Sequence, residues 1–289
     1  MSLLAWVFLG LLGAAALFIV AVHVGFRAPR VRETGRPDPP HEDLFIPTAN
    51  GKRLFAWFIP AARPDPAPAV AILHGWGANA EMMLPFADSL HAAGFAVLLV
   101  DARNHGRSDA DGSSSMPKFA HDLSCAVDVL RARPEVDPAR VAVLGHSVGA
   151  AAALLCASRR DDLAACVSLA AFAHPEAVMR RVMARVRIPY VPVGWLVNRV
   201  VEIAIGHRFA DVAPVATIGR VRCPVLLGHG TDDAAVPVSD ARALLACADS
   251  RTCRLIELPG VDHEGNGAMP KVTGAVTAYL AEVLQNRPA

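Results

Sequence analysis

A serine between two glycines is the residue whose neighbours best suit it to chemistry. Residues 145–149 read Gly-His-Ser-Val-Gly, and they follow the apolar run 141–144 and precede the alanine-rich stretch 150–157. This pattern predicts a strand, a sharp turn and a helix, with Ser147 at the turn. Gly145 and Gly149 would let the strand and the helix approach each other closely. A serine presented in this way is a candidate nucleophile for attack on a carbonyl carbon.

A serine hydroxyl is a weak nucleophile at neutral pH, so it needs a base and a third group to orient that base. Both are found downstream, after predicted buried strands. Asp232 and Asp233 follow the strand predicted at 223–228, and His263 follows the strand predicted at 253–258. Serine, acid and histidine in this chain order are typical of a triad built on such a turn. The sequence therefore predicts acyl transfer with His263 as the base and one of the two aspartates as the acid.

Acyl transfer also needs donors for the negative oxygen of its tetrahedral intermediate. The apolar run 70–73 predicts a strand that leads into His-Gly-Trp-Gly at 74–77. Glycine on both sides of Trp76 would allow its backbone to approach a substrate, and Val148 would begin the helix after the serine, where the helix dipole favours negative charge. The backbone N–H groups of Trp76 and Val148 are the predicted oxyanion hole.

Other polar residues near these loops are interpreted as structural. Asp101 and Arg103, at the end of another predicted strand, are expected to form an ion pair. Three further histidines are predicted to shape loops or turns rather than to act as the base: His74, His105 and His229. His146, inside the serine turn, is expected to be poorly placed to take the proton of Ser147.

The elements that must position these residues alternate regularly. Two segments, 44–47 and 54–59, predict an antiparallel hairpin across Asn50-Gly51. Helical stretches then alternate with strands predicted near 69–73, 95–100, 141–144, 165–172, 223–228 and 253–258. Such alternation predicts a mostly parallel sheet with helices on both faces, an α/β fold.

The segment 174–220 interrupts this alternation because it is too long for a plain crossover. It contains arginines and apolar residues at helical spacing, followed by the apolar run 195–205. One interpretation is a helical crossover packed on the sheet. The other is a helical cap over Ser147 whose apolar face lines an acyl pocket, with a basic amphipathic helix that could also lie against an anionic membrane.

The N-terminus predicts a membrane anchor. Residues 3–26 carry no Asp, Glu, Lys or Arg, which is enough length for a helix to cross a bilayer. A cleaved signal peptide is the alternative, but no Lys or Arg precedes the run and no Ala-X-Ala site follows it. Arginines at 27, 30, 32 and 36 all follow the run, which predicts a single-pass protein with a cytoplasmic catalytic domain. The predicted organisation is an anchor at 1–27, a Pro/Arg-rich linker at 28–41 and a catalytic domain at 42–289.

Composition disfavours several classes of function. The formal net charge of the 289 residues is +1, and no basic stripe is present, so nucleic-acid binding has no support. Six cysteines show no Cys-X-X-Cys pairing, so they predict neither a metal site nor a disulfide framework, and they fit a reducing compartment. No cofactor is predicted.

Taken together, these motifs resemble the α/β-hydrolases, in the branch of serine esterases, lipases and aminopeptidase-like enzymes. The resemblance covers roughly residues 42–285 and rests on five segments: 74–77, 101–109, the serine turn, 229–237 and 262–263. It favours Asp233 as the acid, since the family's acid usually lies four residues before the proline that is Pro237 here, with Asp232 as the fallback. Asn104 stands where many members have glycine, a departure that touches no predicted triad residue.

The resemblance implies a serine hydrolase that cleaves a carboxylic ester, with a lipid-like acyl group suggested by the apolar cap and the anchor. A serine peptidase or an acyltransferase is the alternative. A tethered scaffold that kept the fold without the chemistry is disfavoured because no triad member is missing. Substrate identity and oligomeric state do not follow from the sequence.

Overall fold

One twisted sheet organises the chain. The computed structural model describes residues 2–25, 27–62 and 66–285. Within these residues the sheet has eight strands in the order β1-β2-β4-β3-β5-β6-β7-β8. The strands are β1 Glu42–Pro47, β2 Arg53–Ile59, β3 Ala67–Leu73, β4 Ala96–Val100, β5 Val136–His146, β6 Ala165–Leu169, β7 Val225–Gly230 and β8 Cys253–Leu258. The pairings β1-β2 and β2-β4 are antiparallel and the others are parallel, so the predicted α/β architecture is confirmed.

The predicted opening hairpin forms where the sequence places it. Leu44 lies opposite Ala56 in the β1-β2 register, and the strands are joined through a short 3₁₀ turn, Ala49–Gly51. Asn50 and Gly51 both have positive φ, at 60° and 66°. Asn and Gly are the residues that most readily adopt this conformation, which explains why this dipeptide marks the turn.

Helices cover both faces of the sheet. On one face, α3 and α4 pack against Ala69, Ala71 and Leu73 of β3. On the other face, α2 and α10 pack against Val70 and Ile72. The residues of β3 are buried throughout because both faces of a central parallel strand are covered. The helices are α1 Leu3–Gly25, α2 Leu84–Ala92, α3 Met116–Arg131, α4 Val148–Ala157, α5 Pro175–Arg185, α6 Trp195–Ile205, α7 Phe209–Val212, α8 Pro214–Thr217, α9 Val238–Cys247 and α10 Met269–Leu284.

Helix α4 crosses the sheet at very close range. Its ten residues are all buried. A Cβ added to Gly149 would lie 2.4 Å from the carbonyl oxygen of His74, and one added to Gly145 would lie 2.1 Å from the carbonyl oxygen of Gly149. Both contacts are with backbone, which cannot move aside as a flexible side chain can. The two glycines beside Ser147 are therefore required by packing.

The segment 174–220 is helical and contains α5 to α8. It is joined to the loop after β7 and to α9. The Arg181 guanidinium donates to both carboxylate oxygens of Asp240, at 3.1 and 3.0 Å. Arg185 donates to the carbonyl oxygen of Ala234, the residue after Asp233. We call the segment 174–220 the cap.

The N-terminal prediction is borne out only as a helix. Helix α1 covers Leu3–Gly25, but across the described part of the chain no helix combines the length and the apolar character needed to traverse a bilayer. The predicted membrane-spanning anchor is therefore not supported.

The segment predicted as a linker lies against the catalytic domain. The backbone N–H of Thr34 donates to the Glu81 carboxylate at 2.8 Å. Asn79 Nδ2 donates to the carbonyl oxygen of Val31 at 3.3 Å. These contacts attach residues 31–34 to the loop between β3 and α2.

A pair of glycine-to-alanine substitutions tests the packing of α4. We expect Gly149→Ala to lower the free energy of unfolding by about 1–3 kcal/mol, because its methyl group would overlap the backbone of His74. Gly274→Ala is the matched control, since Gly274 lies in α10 with nothing within 4 Å of an added Cβ. There alanine should be neutral or stabilising by up to about 1 kcal/mol. Urea denaturation of both variants measures the difference, and equal effects would contradict the close approach.

Candidate active site

Ser147 lies at the sharp turn between β5 and α4. Its φ is 56° and its ψ is −117°, a conformation that a residue with a side chain rarely adopts and that costs roughly 1–3 kcal/mol. Its backbone N–H donates to the carbonyl oxygen of Leu169, at the end of β6, at 2.8 Å. The strained turn places the Ser147 hydroxyl at the carboxyl edge of the sheet, as the sequence predicts.

His263 contacts Ser147 and Asp233 at the same time. Its Nδ1 lies 2.6 Å from Asp233 Oδ2, and its Nε2 lies 3.0 Å from Ser147 Oγ. Because an ionised carboxylate only accepts hydrogen bonds, Nδ1 carries the proton. Nε2 of the neutral ring is then an acceptor aimed at the hydroxyl, which is the geometry needed to remove its proton.

Of the two candidate aspartates, Asp233 is the one that reaches His263. Its side chain is fully buried, and Oδ1 accepts the backbone N–H groups of Ala235 and Val236 at 2.8 and 2.7 Å. Asp232 is exposed and accepts a hydrogen bond from the hydroxyl of Thr231 instead. The fallback acid is therefore not placed to orient His263.

The electrostatics of the pair suit a general base. Burial alone would raise the pKa of Asp233, but hydrogen bonds from His229 and His263 outweigh it and hold the pKa well below the usual range. Burial would lower the pKa of His263, but the hydrogen bond and the charge of Asp233 outweigh it and raise the pKa above the ordinary 6.5. Asp233 thus stays ionised and stabilises the imidazolium that forms when His263 accepts a proton.

The loop 74–77 reaches over the serine turn. A Cβ on Gly75 would lie 3.4 Å from the Cβ of Ser147, so the backbone of Gly75, the residue before Trp76, lies against the serine turn. No residue of the described chain accepts a hydrogen bond from the N–H of Trp76 or of Val148. Both predicted oxyanion donors are therefore unengaged beside Ser147.

Two buried histidines hold this loop in place. His74 Nδ1–H donates to the carbonyl oxygen of Gly75 at 2.7 Å, and its Nε2 accepts the N–H of Ala102 at 3.1 Å. His105 Nε2 accepts the N–H of Gly77 at 3.1 Å. Burial, with His105 nearby, lowers the pKa of His74 to about 4. Both rings act as neutral spacers, which agrees with their predicted structural role.

His146 has a role that the sequence reasoning missed. Its ring is buried, and its Nε2–H donates to the backbone carbonyl oxygen of His263 at 2.8 Å. This bond ties the loop that carries the base to the turn that carries the nucleophile. The one signal in the sequence was the position of His146 next to Ser147.

The expected ion pair between Asp101 and Arg103 is wrong. Asp101 accepts backbone N–H groups, from Ala80 at 2.7 Å and from Arg107 at 2.8 Å. Arg103 instead pairs with Asp122, which lies on α3 and is fully buried, at 2.7 Å. Both residues lie in the loop beyond Val100, the last residue of β4, where each is oriented by its own buried partners, so their nearness in sequence did not make them an ion pair.

A small apolar cavity lies behind His263. Its volume is about 30 Å³, and its apolar walls include Met82, Met83, Phe86, Leu169, Leu258 and Val261. No residue of the cap lines it. The acyl pocket beneath the cap therefore stays a prediction. The Trp76 side chain, on the loop that reaches over the serine turn, is 39% exposed and adds apolar surface there.

This geometry can be compared with known proteins. Residues 64–214 match the family described as serine aminopeptidase, S33 (Hydrolase_4). The chain belongs to this family. It is 32% identical over 225 residues to an uncharacterized protein of Mycobacterium tuberculosis, covering 78% of this chain and 73% of the relative. It is 29% identical over 234 residues to the uncharacterized protein YfhR of Escherichia coli K12, covering 78% and 75%.

Solved structures of esterases share the fold. The esterase Pf2001 of Pyrococcus furiosus superposes with a TM-score of 0.72 at 21% identity, over 89% of this chain and 99% of that one. Est1E from Butyrivibrio proteoclasticus, with ferulic acid bound, gives 0.68 at 24% identity, over 84% and 100%. At these identities the likeness establishes the fold, and the predicted α/β-hydrolase resemblance is confirmed.

The titration of His263 tests the electrostatics of this hydrolase-family site without a substrate. We expect Asp233→Asn to lower the pKa of His263, because the raising effect of the carboxylate is lost while burial still disfavours the charged ring. Asp232→Asn is the matched control and should leave the pKa nearly unchanged. NMR titration of the histidine ring protons measures both. Equal shifts in the two variants would contradict the placement of Asp233.

Proposed function

We propose that this protein is a serine hydrolase that cleaves carboxylic esters through an acyl-enzyme intermediate. The observation that carries the proposal is the hydrogen-bonded triad of Asp233, His263 and Ser147. The distances are 2.6 Å from Asp233 to His263 and 3.0 Å from His263 to Ser147. The backbone N–H groups of Trp76 and Val148 have no acceptor in the described chain, so they are available to an oxyanion. A nucleophile, a base, an acid and anion donors in one place suit acyl transfer.

In the first half-reaction His263 Nε2 removes the proton of the Ser147 hydroxyl as Oγ attacks the ester carbonyl carbon. The carbonyl oxygen becomes negative, and the N–H groups of Trp76 and Val148 stabilise it. As the carbon–oxygen bond to the alcohol breaks, the imidazolium returns its proton to the leaving oxygen. The acyl group stays on Ser147 Oγ.

In the second half-reaction His263 removes a proton from a water molecule, which attacks the acyl carbon and releases the acid. Ser147 Oγ leaves as the alcohol after taking back the proton from His263. Asp233 keeps the ring in the same tautomer throughout. His146 is a positioning residue, because it holds the backbone of His263 and does not touch the reacting atoms.

The apolar side of the site supports an ester with an apolar acyl group. Trp76 carries both an indole ring and the backbone N–H that is the proposed donor. Its ring stacks on Phe119 with the ring planes 8° apart. The solved structures that share the fold include esterases, which points the same way. The family description, serine aminopeptidase, favours a second candidate function. In it, the same triad would cleave the amide bond after an N-terminal amino acid.

Covalent labelling tests whether Ser147 is activated. We expect a fluorophosphonate to add one equivalent to the wild-type protein, none to Ser147→Ala, and to label His263→Ala slower by several powers of ten, since the hydroxyl then lacks its base. Ser158→Ala is the control, because the Ser158 hydroxyl donates to the carbonyl oxygen of Leu155 and is not part of the site. Intact mass over time is the measurement. Labelling that survives Ser147→Ala would contradict the proposal.

A substrate series then separates ester from peptide cleavage. p-Nitrophenyl esters of increasing acyl length release the same p-nitrophenol, so their kcat/KM values compare the acyl part directly. Amino-acid p-nitroanilides release p-nitroaniline, a poorer leaving group, so each is compared with the same anilide whose amine is acetylated. We expect the esters of medium or long chains to be preferred because the site entrance is apolar. Preference for the free-amine anilides would favour the aminopeptidase instead.

Location is a separate proposal that rests on the sequence. The arginines at 27, 30, 32 and 36 would be attracted to the anionic cytoplasmic leaflet of a membrane, which supports a catalytic domain on that side. Fractionation of cells that express the full chain, followed by protease accessibility, would test it.

A further inference from the structure

Helix α6 of the cap reverses the usual pattern for its polar residues. It buries the polar Asn198 and Glu202 together with the apolar Val197. Its exposed apolar residues are Trp195, Leu196 and Ile203, the last by 81%. A helix on the surface of a water-soluble domain turns its apolar side to the core and its polar side to water. The outer side of α6 is therefore suited to a medium less polar than water.

The reversal is stabilised from within. Glu202 accepts the backbone N–H of Phe209 at 2.7 Å and pairs with Arg199 at 2.8 Å. Asn198 Nδ2 donates to the hydroxyl of Tyr190 at 2.8 Å. Because the buried polar groups have partners, this orientation of α6 is a specified state, and the apolar residues are held outward.

The exposed side of α6 belongs to a larger apolar surface. Five more apolar residues of the cap are exposed: Val182, Val186, Ile188, Val191 and Val193. Across the described residues from 27 onward, the large apolar side chains exposed outside the cap are Val31, Phe45 and Trp76. A concentration of this kind marks an interaction surface. We call the exposed side chains of residues 182–203 the cap face.

Helix α1 extends this surface. It contacts α6, and its exposed apolar side chains include Trp6, Phe8, Leu9, Leu12, Leu17, Ile19, Val20 and Val24. Two adjoining helices thus expose apolar residues together. A single flat, apolar medium would cover both.

The charge of the cap selects among possible occupants. Residues 174–220 carry seven arginines and three carboxylates, a net charge of +4 in a chain whose total is +1. Arg187 and Arg208 are exposed and form no ion pair with any described residue. Arg208 lies beside Ile203 in a shallow groove that Arg199, Glu202 and Asp211 also line, and Glu202 is paired with Arg199. Two copies of such a surface would repel each other, whereas an anionic surface attracts it.

We propose that the cap face docks on the surface of an anionic lipid bilayer, with α1 beside it. The apolar side chains would enter the interface between headgroups and acyl chains, and the arginines would lie at the phosphates. Arg185 joins the cap to the carbonyl of Ala234, so docking places the loop that carries Asp233 next to the lipid. This proposal concerns binding and does not depend on the hydrolytic chemistry.

Quenching of Trp195 tests whether the cap face enters the lipid. The probe is vesicles of phosphatidylcholine and phosphatidylglycerol with brominated acyl chains, and the protein is the full chain carrying Ser147→Ala, so that no lipid is cleaved. We expect tryptophan fluorescence to be quenched, and the quenched fraction to fall when Trp195→Phe is added. Trp6 on α1, the half-exposed Trp76 and the buried Trp57 stay in both proteins, so the change between the two proteins reports Trp195. The same quenched fraction in both proteins would overturn the proposal.

Binding strength provides a second, independent measurement. We expect Ile203→Glu to weaken co-sedimentation with these vesicles by about tenfold. The variant loses an aliphatic side chain that the lipid would bury, and it gains a negative charge. Phe45→Glu is the matched control on β1 and should bind like the parent. Vesicles of phosphatidylcholine alone should bind the parent more weakly, as should high salt.

Folding and self-association are checked on the same variants. Ile203→Glu should keep the parent's thermal midpoint and, with Ser147 restored, its fluorophosphonate labelling rate, since Ile203 is exposed and outside the site. Light scattering without lipid should give the same mass for the parent and Ile203→Glu. A dimer of the parent that Ile203→Glu dissociates would mean that a second copy covers the cap face, and it would overturn the proposal.

Discussion

The site depends on the contact between α4 and the backbone of the strand ends beside it. Ser147 holds a left-handed φ at that junction, and Gly145 and Gly149 remove the side chains that would keep helix and strands apart. The Gly149 backbone consequently lies against His74, which begins the loop that carries Trp76. The proposed nucleophile and the loop that carries one of the proposed anion donors are therefore positioned by one and the same packing contact.

A set of neutral histidines transmits this positioning to the surrounding loops. His74 and His105 fix the loop 74–77 through backbone hydrogen bonds, and His146 fixes the backbone of His263. Because burial disfavours the charged ring, each of them presents one donor and one acceptor. His263 differs from these three because Asp233 accepts its Nδ1–H and raises its pKa. The same residue type thus serves as spacer or as proposed base according to its partners, since His263 Nε2 faces the Ser147 hydroxyl whereas the three spacers bond to backbone groups.

The distribution of polar and apolar residues in the cap differs from that in the rest of the domain. In the sheet and its covering helices, apolar residues face inward and the core is continuous on both sides. In α6 the polar residues Asn198 and Glu202 face inward and have partners there. A helix that satisfies its polar groups internally can leave an apolar side exposed, which is why the cap is the part of the domain where a function other than chemistry is expected.

The sequence by itself determined the order and type of the secondary-structure elements and the residues of the proposed triad. Strand alternation and the Gly-X-Ser-X-Gly turn depend on local spacing, so the sheet, the hairpin at Asn50-Gly51 and the positions of Ser147 and His263 could be read from the chain. Only the tertiary structure decided between Asp232 and Asp233, since adjacent residues point to opposite sides of a turn. It also decided the partner of Arg103, the bond from His146 to His263, and the outward face of α6. Each of these depends on the direction of a side chain relative to distant segments, and sequence spacing does not encode that direction.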